Sequence, residues 1–477
     1  MEKSLKIKLL SYLLISAVGF SYLILPQNAG VSVPVFVILQ FVCLYFLVPK
    51  KKPLFMFIPI FILALNSFIS ANDIWRRSNF FVTLALYSVM TLMMADRFAI
   101  KELSSRFISN ILENILEPLR YFSTPMKWCA ETNKEHAKTA KRVFAGVAVS
   151  VPCLIFLLIM LSSADKIFSN NVSNLFGEIL KIINFNVLFK IVCGLVAGFY
   201  LFGMAYSVYQ PKKEQTVNVK TKSGDLIILN ILLTSILAVY TIFVVIQFKY
   251  LFAGANELPY GLTYTYYARR GFFELLFLSG LNIMLILLTV QLTKAQTGKW
   301  AKITKALCCY LCAVTVILLI SSFYRMWLYN LDDGLTRLRF LVLWFLVFEA
   351  IGLVFTFFYI IKPKFNIVAV YLAIGLTYYL ALNVVPMDRI IAKDQIDRYF
   401  LTGSGGIDYT LTLSADAAPE IMRWVNSFDE RDYLNEIKVR DYLERVNLEH
   451  TNRDIPQRWQ RENLSIQNLS MDGAKKP

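Results

Sequence analysis

Long apolar runs recur from the N-terminus to residue 385, and they constrain the fold more than any other feature of the chain. A transmembrane helix needs about 20 consecutive, mostly apolar residues. Eleven segments approach or reach that length, and these predicted spans are residues 9–25, 31–48, 54–70, 79–95, 143–163, 187–208, 226–248, 272–293, 303–326, 340–361 and 366–385. We therefore predict an all-α fold, a polytopic transmembrane helical bundle.

Composition excludes the other broad classes of protein. Hydrophobic residues make up 57% of the 477 residues and charged residues 17%, whereas about a quarter of the residues in a soluble domain are charged. A soluble fold could not hide so much apolar surface from water. Intrinsic disorder and a disulfide scaffold are excluded on the same grounds. The formal charge of +16 then bears on orientation in a bilayer and does not indicate binding to nucleic acid.

The positions of Lys and Arg predict the orientation, because cytoplasmic loops are enriched in these residues. If the N-terminus is cytoplasmic, 25 basic residues fall on the cytoplasmic side and 11 on the opposite side. We predict a cytoplasmic N-terminus and, after eleven spans, an extracytoplasmic C-terminus. Residues 25–30, which follow the first apolar run, form no convincing signal-peptidase site, so we interpret that run as a retained span.

The chain divides into two regions at Pro386. Residues 1–385 form the predicted transmembrane domain, and residues 386–477 carry 13 basic against 16 acidic residues, which predicts a small soluble, extracytoplasmic tail. Apolar residues recur at helical spacing in 101–121 and in 167–183, which is typical of helices that lie on a membrane surface. For 101–121, a helix packed against its own bundle is an equally good interpretation.

Several kinds of chemistry lack the residues that they need. The chain has two histidines, His136 and His450, and neither lies in a predicted span. Zinc sites built on histidine pairs and histidine-dependent triads or dyads are therefore not expected in the membrane region. No nucleotide-binding or calcium-binding loop occurs. We predict no cofactor and no metal, and we interpret Cys309-x-x-Cys312 as apolar packing within a span.

Three polar segments fall on the predicted outer side: 257–274, 329–339 and 388–399. Each combines carboxylates, arginines and aromatic residues. The candidate binding residues of this outer cluster are Glu257, Tyr267, Arg269, Arg270, Glu274, Asp332, Asp333, Arg337, Arg339, Asp388 and Arg389. Arginine forks in an outer cavity would bind an anionic group such as a lipid phosphate or a carboxylate. Interface anchors and ion pairs that only fix the fold are the alternative.

Glu349 lies near the middle of the predicted span 340–361. An ionisable group at that depth is costly unless it is paired or protonated, and it often marks a pathway or a relay. We predict either a neutral acid that hydrogen-bonds to another helix or a proton- or cation-coupled site. The candidate partners in other spans are Glu274, Asn282, Asn230, Asn383 and Lys190.

Three motifs resemble those of a bacterial multi-pass membrane family, domain of unknown function 4173, which is related to group 4153. The first is Gly261-Leu262-Thr263-Tyr264 followed by Tyr267-Ala268-Arg269-Arg270-Gly271-Phe272-Phe273-Glu274-Leu275. The second and third are Gly334-Leu335-Thr336-Arg337-Leu338-Arg339 and Leu413-Ser414-Ala415-Asp416-Ala417-Ala418-Pro419, with Trp459 and Asn463-Leu464-Ser465 as a looser match. Ala392-Lys393-Asp394-Gln395 departs from the family pattern. The resemblance implies a bacterial cytoplasmic-membrane protein and supplies no activity.

Three functions fit these observations. The first is transport, or the handling of lipid or envelope components, through the outer cluster and Glu349. The second is a sensor or an accessory subunit of an envelope complex. The third is a membrane-embedded enzyme for a lipid-linked substrate, with Asp332 and Asp333 or Glu257 and Glu274 as paired carboxylates. The expected partners are the lipid bilayer, an anionic lipid or small anionic ligand, and a partner membrane protein, with no nucleic acid.

Overall fold

In the computed structural model the described residues form helices and the turns between them, and they contain no strand. Those residues are 3–25, 30–95, 113, 115–132, 150, 160, 185–210, 225–252, 272–293, 296–403, 405–427 and 433–450. The predicted span 143–163 lies almost wholly outside this part of the chain, and the predicted surface helix 167–183 lies wholly outside it. Of the predicted surface helix 101–121, only residues 113 and 115–121 are described.

The N-terminal helices pack into a first bundle. Its helices are α1 (Lys3–Gly19, continued by a π-helical turn, Phe20–Ile24), α2 (Ser32–Leu47), α3 (Phe57–Ile69, preceded by a 3-10 turn, Lys52–Met56), α4 (Asp73–Met94), α5 (Thr124–Thr132, preceded by a 3-10 turn, Glu117–Tyr121) and α6 (Phe185–Ser207). Leu9, Ile60, Met90 and Phe202 are fully buried where α1, α3, α4 and α6 meet.

A second bundle follows. Its helices are α7 (Leu226–Phe252), α8 (Phe272–Thr293), α9 (Lys299–Asp333), α10 (Arg337–Ile361) and α11 (Ile367–Val384). Leu233, Ile286, Leu311 and Leu353 belong to its buried core. Only 17% of the most apolar stretch of α7 is buried, so most of that helix presents apolar side chains outward, as a lipid-facing helix does.

Eight helices of the described part are long and apolar enough to cross a membrane, as in a multi-pass membrane protein. They are residues 3–24, 52–69, 187–207, 226–246, 272–293, 299–331, 337–361 and 367–384. The sequence also predicts the spans 31–48 and 79–95, which correspond to α2 and α4. Apolar α2 has only 16 residues, and α4 has 22 residues but begins with charged Asp73, Arg76 and Arg77.

Local chemistry at the helix ends explains where several helices begin and end. The side chain of Asn72 accepts a hydrogen bond from the Ile74 amide at the start of α4, and Thr336 accepts one from Arg339 at the start of α10. Such side chains satisfy backbone donors that have no partner within the helix. Helix α9 ends at Gly334, whose φ of 74° favours glycine.

In the described part of the chain after Pro386, four helices form a cap on one end of the two bundles. They are α12 (Met387–Thr402), α13 (Ile407–Thr410), α14 (Ala418–Val425, after a 3-10 turn, Ala415–Ala417) and α15 (Tyr433–His450). Ile391, Ile396 and Trp424 of the cap share one buried cluster with Trp75 of α4 and Phe340 of α10. The cap is therefore packed on the ends of the bundles.

A buried amide network joins the two bundles near the cap. Asn66 of α3 donates to the backbone oxygen of Asn383 on α11, at 2.7 Å. Asn79 of α4 donates to the Asn383 side chain at 2.7 Å and accepts from the Tyr379 hydroxyl at 2.7 Å. Buried amides that satisfy one another fix the relative position of the helices that carry them.

Candidate functional site

The Asp388 carboxylate lies at the start of α12 and connects segments that are far apart in sequence. Arg337 donates from Nε to Oδ1 at 2.8 Å and from Nη2 to Oδ2 at 2.7 Å. Asn72 donates to Oδ2 at 3.1 Å, and Ser414 donates to it from its backbone amide at 3.1 Å and from Oγ at 2.6 Å. We name these four residues the Asp388 cluster. It joins α4, α10, α12 and the loop before α14.

The Asp388 side chain is fully buried, whereas the Arg337 side chain keeps 29% exposure. Burial alone would raise the pKa of Asp388, but the Arg337 guanidinium and the two Ser414 donors hold that pKa below its ordinary value. The carboxylate is therefore ionised and accepts five hydrogen bonds, four of them at Oδ2. This arrangement is suited to holding the cap.

Asp416 makes a second link between the cap and the first bundle. Its two carboxylate oxygens accept hydrogen bonds from Ser70 Oγ at 2.5 Å and from the Ala71 amide at 2.9 Å. Ser70 and Ala71 form the turn between α3 and α4. The third sequence motif therefore contacts the first bundle through Asp416, whereas Ser414 contacts Asp388 within the cap.

Helix α12 also holds the turn between α9 and α10. Asp394 accepts from the Leu335 amide at 2.7 Å, and Gln395 donates to the Leu335 oxygen at 2.7 Å. A Cβ atom added to Gly334 would lie 2.6 Å from the Gln395 side chain, so only glycine fits there. The second motif forms this turn, and the stretch that departs from the family pattern, Ala392–Gln395, is the part of α12 that holds it.

The other described arginines of the outer cluster also face carboxylates. Arg339 donates to Asp333 at 3.0 Å and lies 3.5 Å from the centre of the Tyr329 ring. Arg389 donates to Glu420 at 3.2 Å and keeps 54% exposure. Arg337, Arg339 and Arg389 are thus each paired with a carboxylate, which reduces the positive potential available to an anionic ligand.

The structure brings together only part of the predicted outer cluster. Arg337 and Asp388 form one ion pair, and Asp333 with Arg339 forms another. Glu274 is exposed in the first turn of α8 and is not part of the Asp388 cluster. Four predicted residues lie outside the described part of the chain, as does the side chain of a fifth: Glu257, Tyr267, Arg269, Arg270 and the side chain of Asp332.

Glu349 is buried within the second bundle, 12 residues from either end of α10. Its side chain is 4% exposed, and Oε2 accepts a hydrogen bond from Ser279 Oγ of α8 at 2.6 Å. A Cβ atom added to Gly280 would lie 3.2 Å from Oε1, so the small Gly280 makes room for the carboxyl group. The partner is a hydroxyl, and no charged partner occurs among the hydrogen bonds and ion pairs of the described residues.

Polar groups continue from Glu349 along the buried face of α10. Thr356 lies two turns further on, and its hydroxyl shares a hydrogen bond of 2.7 Å with the Tyr371 hydroxyl of α11. Tyr371 also lies against Gly352 and donates to its backbone oxygen at 2.9 Å.

Further polar pairs lie along α8 and α9. Asn282, one turn from Ser279, accepts from Tyr240 at 2.9 Å and donates to Thr315 at 3.2 Å. We name the set Asn230, Thr304, Tyr240, Asn282, Thr315, Ser279 and Glu349 the polar line. Its far end is a hydrogen bond of 2.7 Å from Thr304 to Asn230, close to the start of α9.

Sequence reasoning identified Glu349 but not its partner. Of the predicted partners, Asn282, Asn230 and Asn383 each bond elsewhere. Glu274 is exposed in the first turn of α8, and Lys190 lies on α6 of the first bundle. The sequence gives little indication of a role for Ser279, because small hydroxyl residues are ordinary in apolar spans. Asp388, by contrast, was identified, but its pairing with Arg337 requires the folded chain.

Residues 57–424 match a family described as Domain of unknown function (DUF4153). The chain belongs to the DUF4153 family. The sequence motifs predicted a relation to group 4153, and the match confirms that relation. Comparison with curated proteins and with solved structures gave no match.

The DUF4153 region begins at the first residue of α3 and ends at Trp424 of α14. It therefore contains all four residues of the Asp388 cluster, the complete polar line and the amide network between the bundles. Helices α1, α2 and α15 lie outside it.

Proposed function

We propose that this DUF4153 protein is a membrane transport protein whose work is coupled to the protonation of Glu349. The observation that carries the proposal is the hydrogen bond of Ser279 to a carboxyl group that is 4% exposed in the middle of α10. An ionised carboxylate in an apolar bundle is costly without a cation, whereas a protonated carboxyl is not. A group in this position gains and loses a proton when the bundle opens to either side.

The polar line supports the proposal because it offers a route for protons. Hydroxyl and amide groups can hold bridging waters, and a chain of such waters can carry protons. Thr304 and Thr315 lie 11 residues apart on α9, which corresponds to about 16 Å of helix. The line thus extends from near the start of α9 to the middle of the bundle, where Glu349 lies.

In this proposal Arg337 and Arg339 of the outer cluster have structural roles and do not bind the ligand directly. Arg337 and Arg339 are occupied by Asp388 and Asp333. Half-exposed Arg389 is the arginine best placed to meet a lipid phosphate or a carboxylate that approaches the cap. The bias of basic residues supports a cytoplasmic N-terminus in a bacterial inner membrane, with the cap outside.

Proton flux into proteoliposomes tests the proposal. Purified full-length protein is reconstituted with a pH-sensitive dye inside the vesicles, and a pH step is applied outside. We expect wild-type protein to accelerate the internal pH change over empty vesicles and Glu349→Gln to reduce the rate to that of empty vesicles, because the amide keeps the shape but cannot ionise.

Glu274→Gln is the matched control, since Glu274 is an exposed carboxyl at the end of α8. It should leave the flux unchanged. Equal rates for wild type and Glu349→Gln, with both proteins folded and inserted, would contradict coupling through Glu349 and would favour the sensor or accessory-subunit hypothesis.

A further inference from the structure

The C-terminal end of α12 exposes large apolar side chains although it belongs to the polar cap. Leu401 is 85% exposed and Phe400 47%. Ile390 lies on the same side of the helix, 11 residues before Leu401, a spacing that returns to the same face. A single exposed leucine is ordinary on a protein surface, so the significance of this helix end depends on its position relative to the bundles.

Helix α12 is fixed against the end of α9, and this contact determines where the exposed end of α12 lies. Arg398 donates to the backbone oxygens of Leu331 and Asn330, at 2.7 and 2.6 Å. Asp394, one turn earlier on the same side of α12, accepts from Leu335. Leu401 lies one turn beyond Arg398 on this side, so the exposed end of α12 is at the level of Leu331.

The end of α9 carries its own exposed apolar surface at this level. Trp327 is 52% exposed and Leu331 is 58% exposed, and Leu338 at the start of α10 is also exposed. Phe400, Leu401 and these three residues form what we name the apolar edge. It continues the lipid-facing surface of a helix that is apolar enough to span a membrane.

Two tryptophans on α9 give the depth of this edge in a bilayer. Exposed Trp300 and Trp327 are 27 residues apart on one helix, or about 40 Å. A bilayer with its headgroups is about 40–45 Å thick, and tryptophans are enriched at its two interfaces. Trp327 then lies at one interface, and the edge next to it lies among the headgroups.

We propose that the apolar edge docks on the bilayer surface, so that the cap rests on the lipid headgroups with Phe400 and Leu401 inserted between them. The Arg423 guanidinium lies 5.8 Å from the centre of the Phe400 ring, and Lys393 is exposed on the same helix. Long basic side chains beside inserted apolar groups are typical of a membrane interface. The cap is then attached both to the bundles and to lipid.

Spin-label accessibility tests this docking in the full-length protein. A nitroxide is attached to Leu401→Cys and, as a matched control, to Asp408→Cys, because Asp408 is another highly exposed residue of the cap, at 84%. The proteins are placed in phosphatidylcholine nanodiscs, and unsubstituted protein provides the background from native cysteines. Collisions with oxygen and with a water-soluble nickel chelate are measured for each label.

We expect the label at position 401 to favour oxygen over nickel and the label at 408 to favour nickel. Equal, nickel-dominated accessibility at both positions would overturn the proposal. Dipolar coupling between labels at position 401 would also overturn it, because a second copy of the chain would then cover the edge. Both positions are exposed, so folding is retained, and the melting temperature of each variant checks this.

Discussion

At the scale of single residues, Asp388 is the carboxylate on which the attachment of the cap depends. Breaking a buried ion pair by removing one partner costs about 3–5 kcal/mol. Because Arg337 keeps 29% exposure, we expect Asp388→Asn to cost about 3 kcal/mol, at the lower end of that range. Unfolding of detergent-solubilised protein, followed by the fluorescence of Trp424 and its neighbours in the cap core, measures the loss.

The exposed pair of Lys438 and Asp408 provides the control for this substitution. Its two side chains are 48% and 84% exposed, and such a surface pair contributes about 0–1 kcal/mol. Asp408→Asn should therefore leave stability almost unchanged. If Asp388→Asn is as mild as Asp408→Asn, the Asp388 cluster does not hold the cap.

The same carboxylate gives the cap a dependence on pH with a definite sign. The pKa of Asp388 is lowered in the folded protein, below the value of about 3.9 in an unfolded chain. Its contribution to stability is therefore present above the unfolded pKa and is lost as the pH falls through the folded pKa. We expect the difference in melting temperature between wild type and Asp388→Asn to shrink below about pH 4. A difference that is independent of pH would contradict this assignment.

Sequence reasoning at this scale finds charged residues but not their partners. Asp388, Arg337 and Glu349 stand out because charge near or within an apolar span is costly. Ser279 and Ser414 do not stand out, since a hydroxyl residue fits many places in a membrane helix. Pairing depends on the tertiary packing of helices that are up to several hundred residues apart, as with Asn72 and Asp388.

At the scale of helices, the contact between α1 and α6 depends on two glycines four residues apart. A Cβ atom added to Gly194 would lie 2.7 Å from the Ala17 oxygen, and one added to Gly198 would lie 2.7 Å from the Ala17 Cβ. Ser21, one turn after Ala17, donates to the Lys190 oxygen at 2.9 Å. Small residues at this spacing let two membrane helices approach closely.

We expect Gly194→Ala to destabilise the first bundle by about 1–3 kcal/mol, because the added methyl group overlaps backbone atoms of α1. Gly375→Ala is the control, since Gly375 lies in α11 with nothing within 4 Å of its Cβ position. That change should be neutral or stabilising by about 0.5–1 kcal/mol, because alanine favours a helix. Thermal unfolding compares the two, and equal shifts would contradict the close α1–α6 contact.

The apolar pattern predicts the helices well and their ends less well. The predicted span 272–293 coincides with α8, whereas the predicted span 303–326 is extended to Lys299–Asp333 in α9. Apolar runs mark only the part of a helix that crosses the hydrocarbon, and the helix continues until a glycine such as Gly334 ends it. The polar helices of the cap give a weaker sequence signal, because they lack the long apolar runs that mark a membrane span.

At the scale of the whole molecule, two bundles and a cap make one connected structure. The amide network of Asn66, Asn79 and Asn383 joins the bundles, and the Asp388 cluster joins both to the cap. Composition separates the region after Pro386 as a polar tail, but it gives no sign of how tightly that region packs. The packing arises from Ile391, Ile396 and other apolar residues that are too few to change the composition.

Coupling to protonation requires that Glu349 exchange its proton with the aqueous phase while it lies in the membrane. Charge displacement on a solid-supported membrane measures this step without knowledge of the transported solute. Proteoliposomes are adsorbed to the sensor and given a rapid pH step, and the transient current is recorded. We expect a current from wild type and from Glu274→Gln and none from Glu349→Gln. A current of the same size from Glu349→Gln would contradict the assignment of Glu349 as the coupling group.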